Sequence, residues 1–412
     1  MLLRNSTSPT LKDKLLEIGL LGFILTMPFK IQVNSLFLIL SVVAWLISGH
    51  AWTDVRAVLK MRLYQVYLLL YFLYLVGLLY SANTQAAFAE LELKVSLLLL
   101  PPIFYGRVQD KARQNRYLYT FVLACFIAAA ASLALLLYRI YGEGLYRAEG
   151  QPLQIDWVYF SYFLPKQIDF HSPFFSMYAV TSMFIVTYWL INAAESTKRW
   201  KVIVLVSLLF FFLTFSVALA SRTALVAGIT ILFIGGIAHF IAQKRYVQVG
   251  VFLVLFMAVF GLLYLNTPYL RQKMEGGTGV SQRQQLWHSS FELIKQHPII
   301  GIGSGDARDE QVVQYRKSGL VKEAEQRLDA HNQYIQLALA LGLTGVLTYI
   351  ATLAYLLHLS FRYEVYLLTG FVMLYSMCGV TESVFNAQKG LILFSFITSV
   401  LAFKQKHGKN AD

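Results

Sequence analysis

Long apolar runs broken by short polar stretches occupy most of the chain. A membrane-crossing helix needs about 20 mostly apolar residues, with shorter runs possible where a helix is broken inside protein. The runs at 14–30, 33–49, 63–80, 93–105, 117–141, 173–192, 202–219, 223–242, 247–265, 333–357, 365–380 and 389–403 predict about twelve such helices. The expected fold is therefore an all-α, polytopic membrane protein. The run 93–105 is short and carries Pro101-Pro102, so it reads either as a span or as a broken or re-entrant helix. Two longer polar stretches interrupt the pattern, 142–172 and 266–331. This divides the chain into 1–265 (helices one to nine), a helical loop domain at 266–331, 332–403 (helices ten to twelve) and a polar tail at 404–412.

The larger loop has its own periodicity. Ser281 with Gln284 forms a capping box that opens a helix ending near Pro298. Its apolar stripe runs through Leu286, Ser290, Leu293 and Ile294, with Trp287 and Phe291 beside it, and Arg283 stands one turn before Leu286 on the inward side. Gly301-Ile-Gly-Ser-Gly305 reads as a turn that lets the loop fold back. A second helical stretch starts near Asp306, breaks at Gly319 and sets Leu320, Ala324 and Leu328 on one face. Its charges (Arg308, Asp309, Glu310, Lys322, Glu323, Glu325) read as a solvated face.

His331 is expected in the first turn of the tenth span. Gly342, eleven residues on, returns to nearly the same face of a regular helix, and Ala338 with Gly342 suits close packing. A helix N-terminus disfavours imidazolium, so the ring is expected neutral. Arg222 lies in the tight turn between the seventh and eighth spans, ahead of the small residues Ala224 and Gly228. It either faces a partner or cavity or snorkels to lipid phosphates.

Composition supports the membrane assignment: 57% of residues are hydrophobic and only 14% charged. The net charge of +13 is spread over the ends of apolar runs, not gathered in one patch. Nucleic acid is thus not expected as a partner; membrane lipids and phosphate-bearing substrates are. Alternating the spans puts Arg56/Lys60/Arg62, Arg107/Lys111/Arg113/Arg116, Lys198/Arg199/Lys201 and Lys244/Arg245 on one side with both termini. The opposite short loops, including Ser81–Glu92, are poor in lysine and arginine, which makes the basic side cytoplasmic and both long loops external. The first apolar run lacks a cleavage-site pattern and is expected to remain as a span. Cys125 and Cys378 lie in apolar runs without metal-ligand spacing and read as buried thiols. The smaller loop holds Tyr146, Trp157, Tyr159, Phe160, Tyr162 and Phe163, an interfacial belt or a platform for sugar rings; His171 reads as an interfacial polar residue.

His331-Asn332, nine residues, then Gly342-Leu-Thr-Gly345 resembles the signature of the bacterial O-antigen ligase family. Ser221-Arg222 opening a mid-chain span, Arg283 with Trp287 early in the large loop, and His297-Pro-Ile-Ile-Gly-Ile-Gly303 after it extend the resemblance across roughly 215–390. The resemblance implies a GT-C-type glycosyltransferase of the bacterial inner membrane. Such enzymes transfer a glycan from undecaprenyl pyrophosphate to lipid A–core at the periplasmic face. It carries catalytic roles onto Arg222, Arg283 and His331, and substrate-binding roles onto Glu382 and Asn332. Glu382 could equally be a helix-end residue paired with Lys389.

The expected chemistry follows from the donor. Two guanidinium forks neutralise the departing pyrophosphate, and a neutral histidine accepts the acceptor hydroxyl's proton, with inversion at the anomeric carbon. No cofactor or metal is expected, since Asp306 and Asp309 are separated by Arg308 and the arginines can stand in for an ion. A polymerase or a protein O-oligosaccharyltransferase of the same superfamily would share donor and signature. A transporter of polysaccharide fits the span count, but its ionisable groups would sit near the midplane, whereas these cluster at outer span ends.

Overall fold

The computed structural model describes residues 10–142, 159–193, 197–250, 253–254 and 278–403, and every regular element among them is helical. In order these are α1 (Leu11–Thr26), α2 (Ile31–Ile47), α3 (Ala51–Leu59), α4 (Arg62–Leu79), α5 (Thr84–Tyr105) and α6 (Lys111–Tyr141). A π-helical turn (Tyr159–Phe163) runs into α7 (Leu164–Lys166), followed by α8 (Ser172–Ile191), α9 (Arg199–Leu219) and α10 (Arg222–Ala242). After the large loop begins come α11 (Thr278–Gln296), α12 (Ala307–Lys317), α13 (Val321–Glu325), α14 (Gln333–Arg362), α15 (Tyr366–Gly379) and α16 (Gln388–Ala402).

Six of these (α4, α6, α8, α9, α10 and α14) are long and apolar enough to cross a membrane, and α2 with α3, bent by 100°, would add a seventh. The shorter total than about twelve has physical causes. Helix α1 has 16 residues, and α15 and α16 have 14 and 15, all short of a full crossing. Most of the expected ninth span at 247–265 lies outside the described residues, as do all of 143–158 with Tyr146 and Trp157 and the tail at 404–412. Helix α16 is apolar and buried from Lys389 to Leu401, which marks it as a central helix, whereas α9 and α10 leave most of their surface exposed.

Of the two readings of 93–105, the broken one does not occur at Pro101-Pro102. Helix α5 is continuous for 22 residues and begins at Thr84, so most of the stretch expected as an acidic loop is helical. Asn83 caps it through a 3.0 Å bond from the Ala86 N–H, and Glu90 pairs with Lys94 one turn on. Pro102 has no N–H for the carbonyl of Leu98, but the Tyr64 hydroxyl donates to that oxygen at 2.9 Å. The two prolines are thereby tolerated near the end of a buried helix. Helix α11 also starts earlier than its capping box indicates: Ser281 lies inside it, because helical backbone extends back to Thr278.

The largest departure is in α14, which is broken at Gly342 (φ +64°, ψ −158°). The loop after α11 is spliced into the gap. Ile302 and Gly303 donate to the carbonyls of Leu339 and Ala340 (2.7 and 3.2 Å), and Leu343 and Thr344 donate to those of Pro298 and Ile299 (2.8 and 3.3 Å). A broken helix is tolerated where other backbone satisfies the freed groups, and here the loop supplies both donors and acceptors. Backbone approaches so closely that a Cβ on Gly342 would lie 2.3 Å from Ile299, and one on Gly301 (φ +74°) 2.6 Å from Gly342. Both glycines are required by this contact. His331 and Gly342 therefore do not share the face of one regular helix.

Candidate active site

Helix α11 is fixed by side chains that reach into α12 and α14. Ser290, Gln311, Tyr315 and Gln336 form one buried polar cluster, with Gln336 Nε2 donating to Gln311 Oε1 at 2.9 Å. The Trp287 indole donates to the Ala330 carbonyl at 2.7 Å. Arg283, one turn before Trp287, is thereby held against the segment leading into α14. Its Nη2 lies 3.0 Å from Oε1 of Glu382, whose side chain is only 9% exposed.

Glu382 reaches this place because the loop after α15 is tied to the first turn of α14. The Phe385 N–H donates to Gln333 Oε1 at 2.6 Å, and Gln333 Nε2 to Asn386 Oδ1 at 3.3 Å. The second carboxylate oxygen, Oε2, faces His331 Nδ1 at 3.5 Å. Pairing of Glu382 with Lys389 is not observed: the Lys389 ammonium donates to the carbonyls of Met27 and Phe29. Glu382 therefore bridges Arg283 and His331, which lie far apart in sequence.

Arg222 opens α10 after Ala220 in left-handed conformation (φ +48°). Gly228, one helical stretch on, sits against Val180 of α8 with no room for a side chain, and the Thr381 hydroxyl donates to Thr223 at 2.8 Å. These contacts bring α10 against α8 and the α15–α16 loop. Arg222, Arg283 and Glu382 then line a single cavity of about 200 Å³, together with Ser161, Ser221, Thr223, Cys378 and Thr381. Both cysteines are buried free thiols, and Cys378 adds apolar wall rather than a reactive thiolate.

His331 departs from expectation in two ways. It precedes the helix rather than sitting in its first turn: Asn332 is the N-cap, its Oδ1 accepting from Tyr334 and Ile335 at 2.9 and 3.1 Å, and His331 is left-handed (φ +45°). The ring is not biased toward neutrality either. The Glu382 carboxylate at Nδ1, with Asp329 adding to it, holds its pKa above the usual imidazole value, against the opposing effects of burial and Arg283. Nearby carboxylates outweigh the helix end because they are closer to the ring. Asn332, buried with its oxygen committed to the cap, is a structural element of the turn that presents His331.

Two residues near the site carried no site role in the sequence. Asp329 accepts from the His331 N–H at 2.9 Å and faces Nδ1 at 3.5 Å. An aspartate two residues before a turn residue is an Asx-turn pattern, so the backbone bond was legible; the ring contact was not. His171, read as interfacial, lies within electrostatic reach of Glu382, His331 and Asp329. Asp309, expected on a solvated face, is in part structural: it accepts from the Asn83 side chain at 2.8 Å, beside Asp306, which accepts from the Ala82 and Asn83 N–H groups (both 2.7 Å).

Comparison with known proteins bears on one segment. No curated protein sequence matches the chain. Residues 207–350 match the family model described as O-antigen ligase, a stretch that includes Arg222, Arg283 and His331. Over that segment, about a third of its length, the chain is similar to the O-antigen ligase family.

Proposed function

We propose that this protein is an O-antigen ligase: an inverting, metal-independent glycosyltransferase of GT-C type in the bacterial inner membrane. It moves a glycan from undecaprenyl pyrophosphate to a sugar hydroxyl of lipid A–core at the periplasmic face, with both termini cytoplasmic. The observation that carries the reading is the shared cavity: Arg222, Arg283 and Glu382 line it, and the Glu382 carboxylate pairs with Arg283 at 3.0 Å and lies 3.5 Å from the His331 imidazole. Its volume of about 200 Å³ suits a diphosphate and the first sugar's edge rather than a whole glycan, which would extend outside with the lipid.

The reaction breaks the bond between the anomeric carbon and a pyrophosphate oxygen and forms one to the acceptor oxygen. Negative charge grows on the departing oxygen, and Arg222 and Arg283 neutralise it through planar forks. Glu382, paired with Arg283 at 3.0 Å, keeps that side chain directed into the cavity before donor arrives. The acceptor hydroxyl loses its proton to His331 Nε2 as it attacks, because Nδ1 faces the carboxylates. The raised pKa makes the ring a stronger base once it is deprotonated.

The test is reconstitution: purified protein, lipid-linked glycan and lipid A–core, with the product resolved by gel. Glycan appearing on lipid A–core supports ligation. Longer lipid-linked glycan with untouched core would instead identify a polymerase, and no transfer to any acceptor would end the glycosyltransferase reading.

A further inference from the structure

His331 is a non-glycine residue held in the left-handed region, a costly conformation that persists only where its surroundings fix it. The neighbours on both sides are fixed. Ala330 is anchored by the Trp287 indole on its carbonyl, and Asn332 is anchored as the α14 cap. The His331 N–H itself is taken by Asp329 Oδ1, and the same oxygen lies 3.5 Å from the ring nitrogen Nδ1.

We propose that Asp329 is a positioning residue for His331: its carboxylate clamps the backbone in the left-handed turn and, with Glu382, keeps the proton on Nδ1 so that Nε2 accepts. This rests on the transferase reading for its purpose, but not for its geometry. A ring flanked by two carboxylate oxygens on its Nδ1 side has a donor's task there, because a carboxylate can only accept. The opposite nitrogen is then the one left with a lone pair, as an acid–base histidine requires. Asp329 thus fixes the backbone that aims the ring and shares with Glu382 the Nδ1 side of it, which leaves Nε2 to do the work. The charged and titratable groups facing the ring are Asp329 in the preceding turn, Glu382 from the α15–α16 loop, Arg283 from α11 and His171 at the start of α8.

The two parts of the proposal separate by substitution. Asp329→Asn keeps an amide oxygen for the His331 N–H and removes the charge. Asp329→Ala removes both. Full-length protein labelled with 15N-histidine in nanodiscs is titrated by NMR, with the His331 signal assigned by its absence in His331→Ala. In the wild type the neutral ring is expected to carry its proton on Nδ1. A carboxylate stabilises imidazolium, so Asp329→Asn should lower the His331 midpoint and raise the Nε2-protonated share. The acid limb of the transfer rate should move to lower pH with it. Because Glu382 remains on Nδ1, kcat should fall roughly ten-fold, less than for loss of the base itself, with KM for donor unchanged. Asp329→Ala should fall further.

An unmoved midpoint and tautomer in Asp329→Asn would overturn the proposal, whether transfer survived or not. Loss of activity alone would then be a structural effect. If the midpoint and tautomer shift as expected but wild-type protein transfers no glycan, the positioning role stands and the transferase reading falls.

Discussion

Replacing Gly342 with alanine tests the spliced helix. A Cβ at this residue would sit 2.3 Å from the carbonyl carbon and oxygen of Ile299 and 2.6 Å from the Gly301 nitrogen, all backbone atoms that cannot swing aside. The dihedrals, φ +64° and ψ −158°, fall in a region that is essentially glycine-only and costs an alanine about 1–3 kcal/mol. Relieving the clash pushes the loop away and weakens the bonds from Leu343 and Thr344 to Pro298 and Ile299, each worth about 1 kcal/mol. The sum is on the order of 4 kcal/mol, which for a chain of 412 residues corresponds to a fall in Tm of about 5 °C. The matched control is Gly235→Ala on α10, where nothing lies within 4 Å of the added carbon and alanine favours helix. The assay is thermal unfolding of detergent-solubilised protein followed by size-exclusion chromatography. If Gly342→Ala melted with the wild type and with Gly235→Ala, the splice would not be the reason for glycine there.

Other consequences follow from the same geometry. Arg222→Lys should lose about 10²-fold in transfer rate, because a point charge cannot replace a fork on a diphosphate, while His331→Ala should lose 10²-fold or more, on the order expected for a general base, yet still bind labelled donor. Transfer should require the deprotonated ring, so its rate should fall as pH drops through a midpoint above the ordinary histidine value of about 6.5. Glu382→Gln removes the largest cause of that raised value and should move the midpoint down; an unchanged acid limb would refute the assignment of the base. Transfer should survive EDTA without added Mg²⁺ or Mn²⁺, and abolition reversed by either ion would show that the arginines do not act alone.

What could be read from the chain was what repeats locally. Helical periodicity put Arg283 on the inward side of its helix, and small residues after Arg222 marked a close approach that Gly228 and Val180 make. The meeting of Arg283, Glu382 and His331 depends on α11, α15 and α14 docking through Trp287, Gln333 and the Gln311–Gln336 cluster, and no local pattern encodes such contacts. Gly342 misled because apolar residues continue at helical spacing on both sides of it, so periodicity passes through the break. Pro101-Pro102 misled the other way: the helix survives because a tyrosine from α4 serves the freed carbonyl, a contact 34 residues distant. The raised pKa of His331 had the same source, since Glu382 lies beyond the reach of any short motif.

The central claim is that Arg222 and Arg283 act on one anion in one cavity. A double-mutant cycle of Arg222→Lys and Arg283→Lys, read as the single-turnover transfer rate with saturating acceptor, measures it directly. If both forks hold the same diphosphate, the losses are coupled, and the double variant should be little worse than the poorer single one. Losses that multiply independently would mean that the two guanidiniums serve different groups, and the single-cavity account would be wrong.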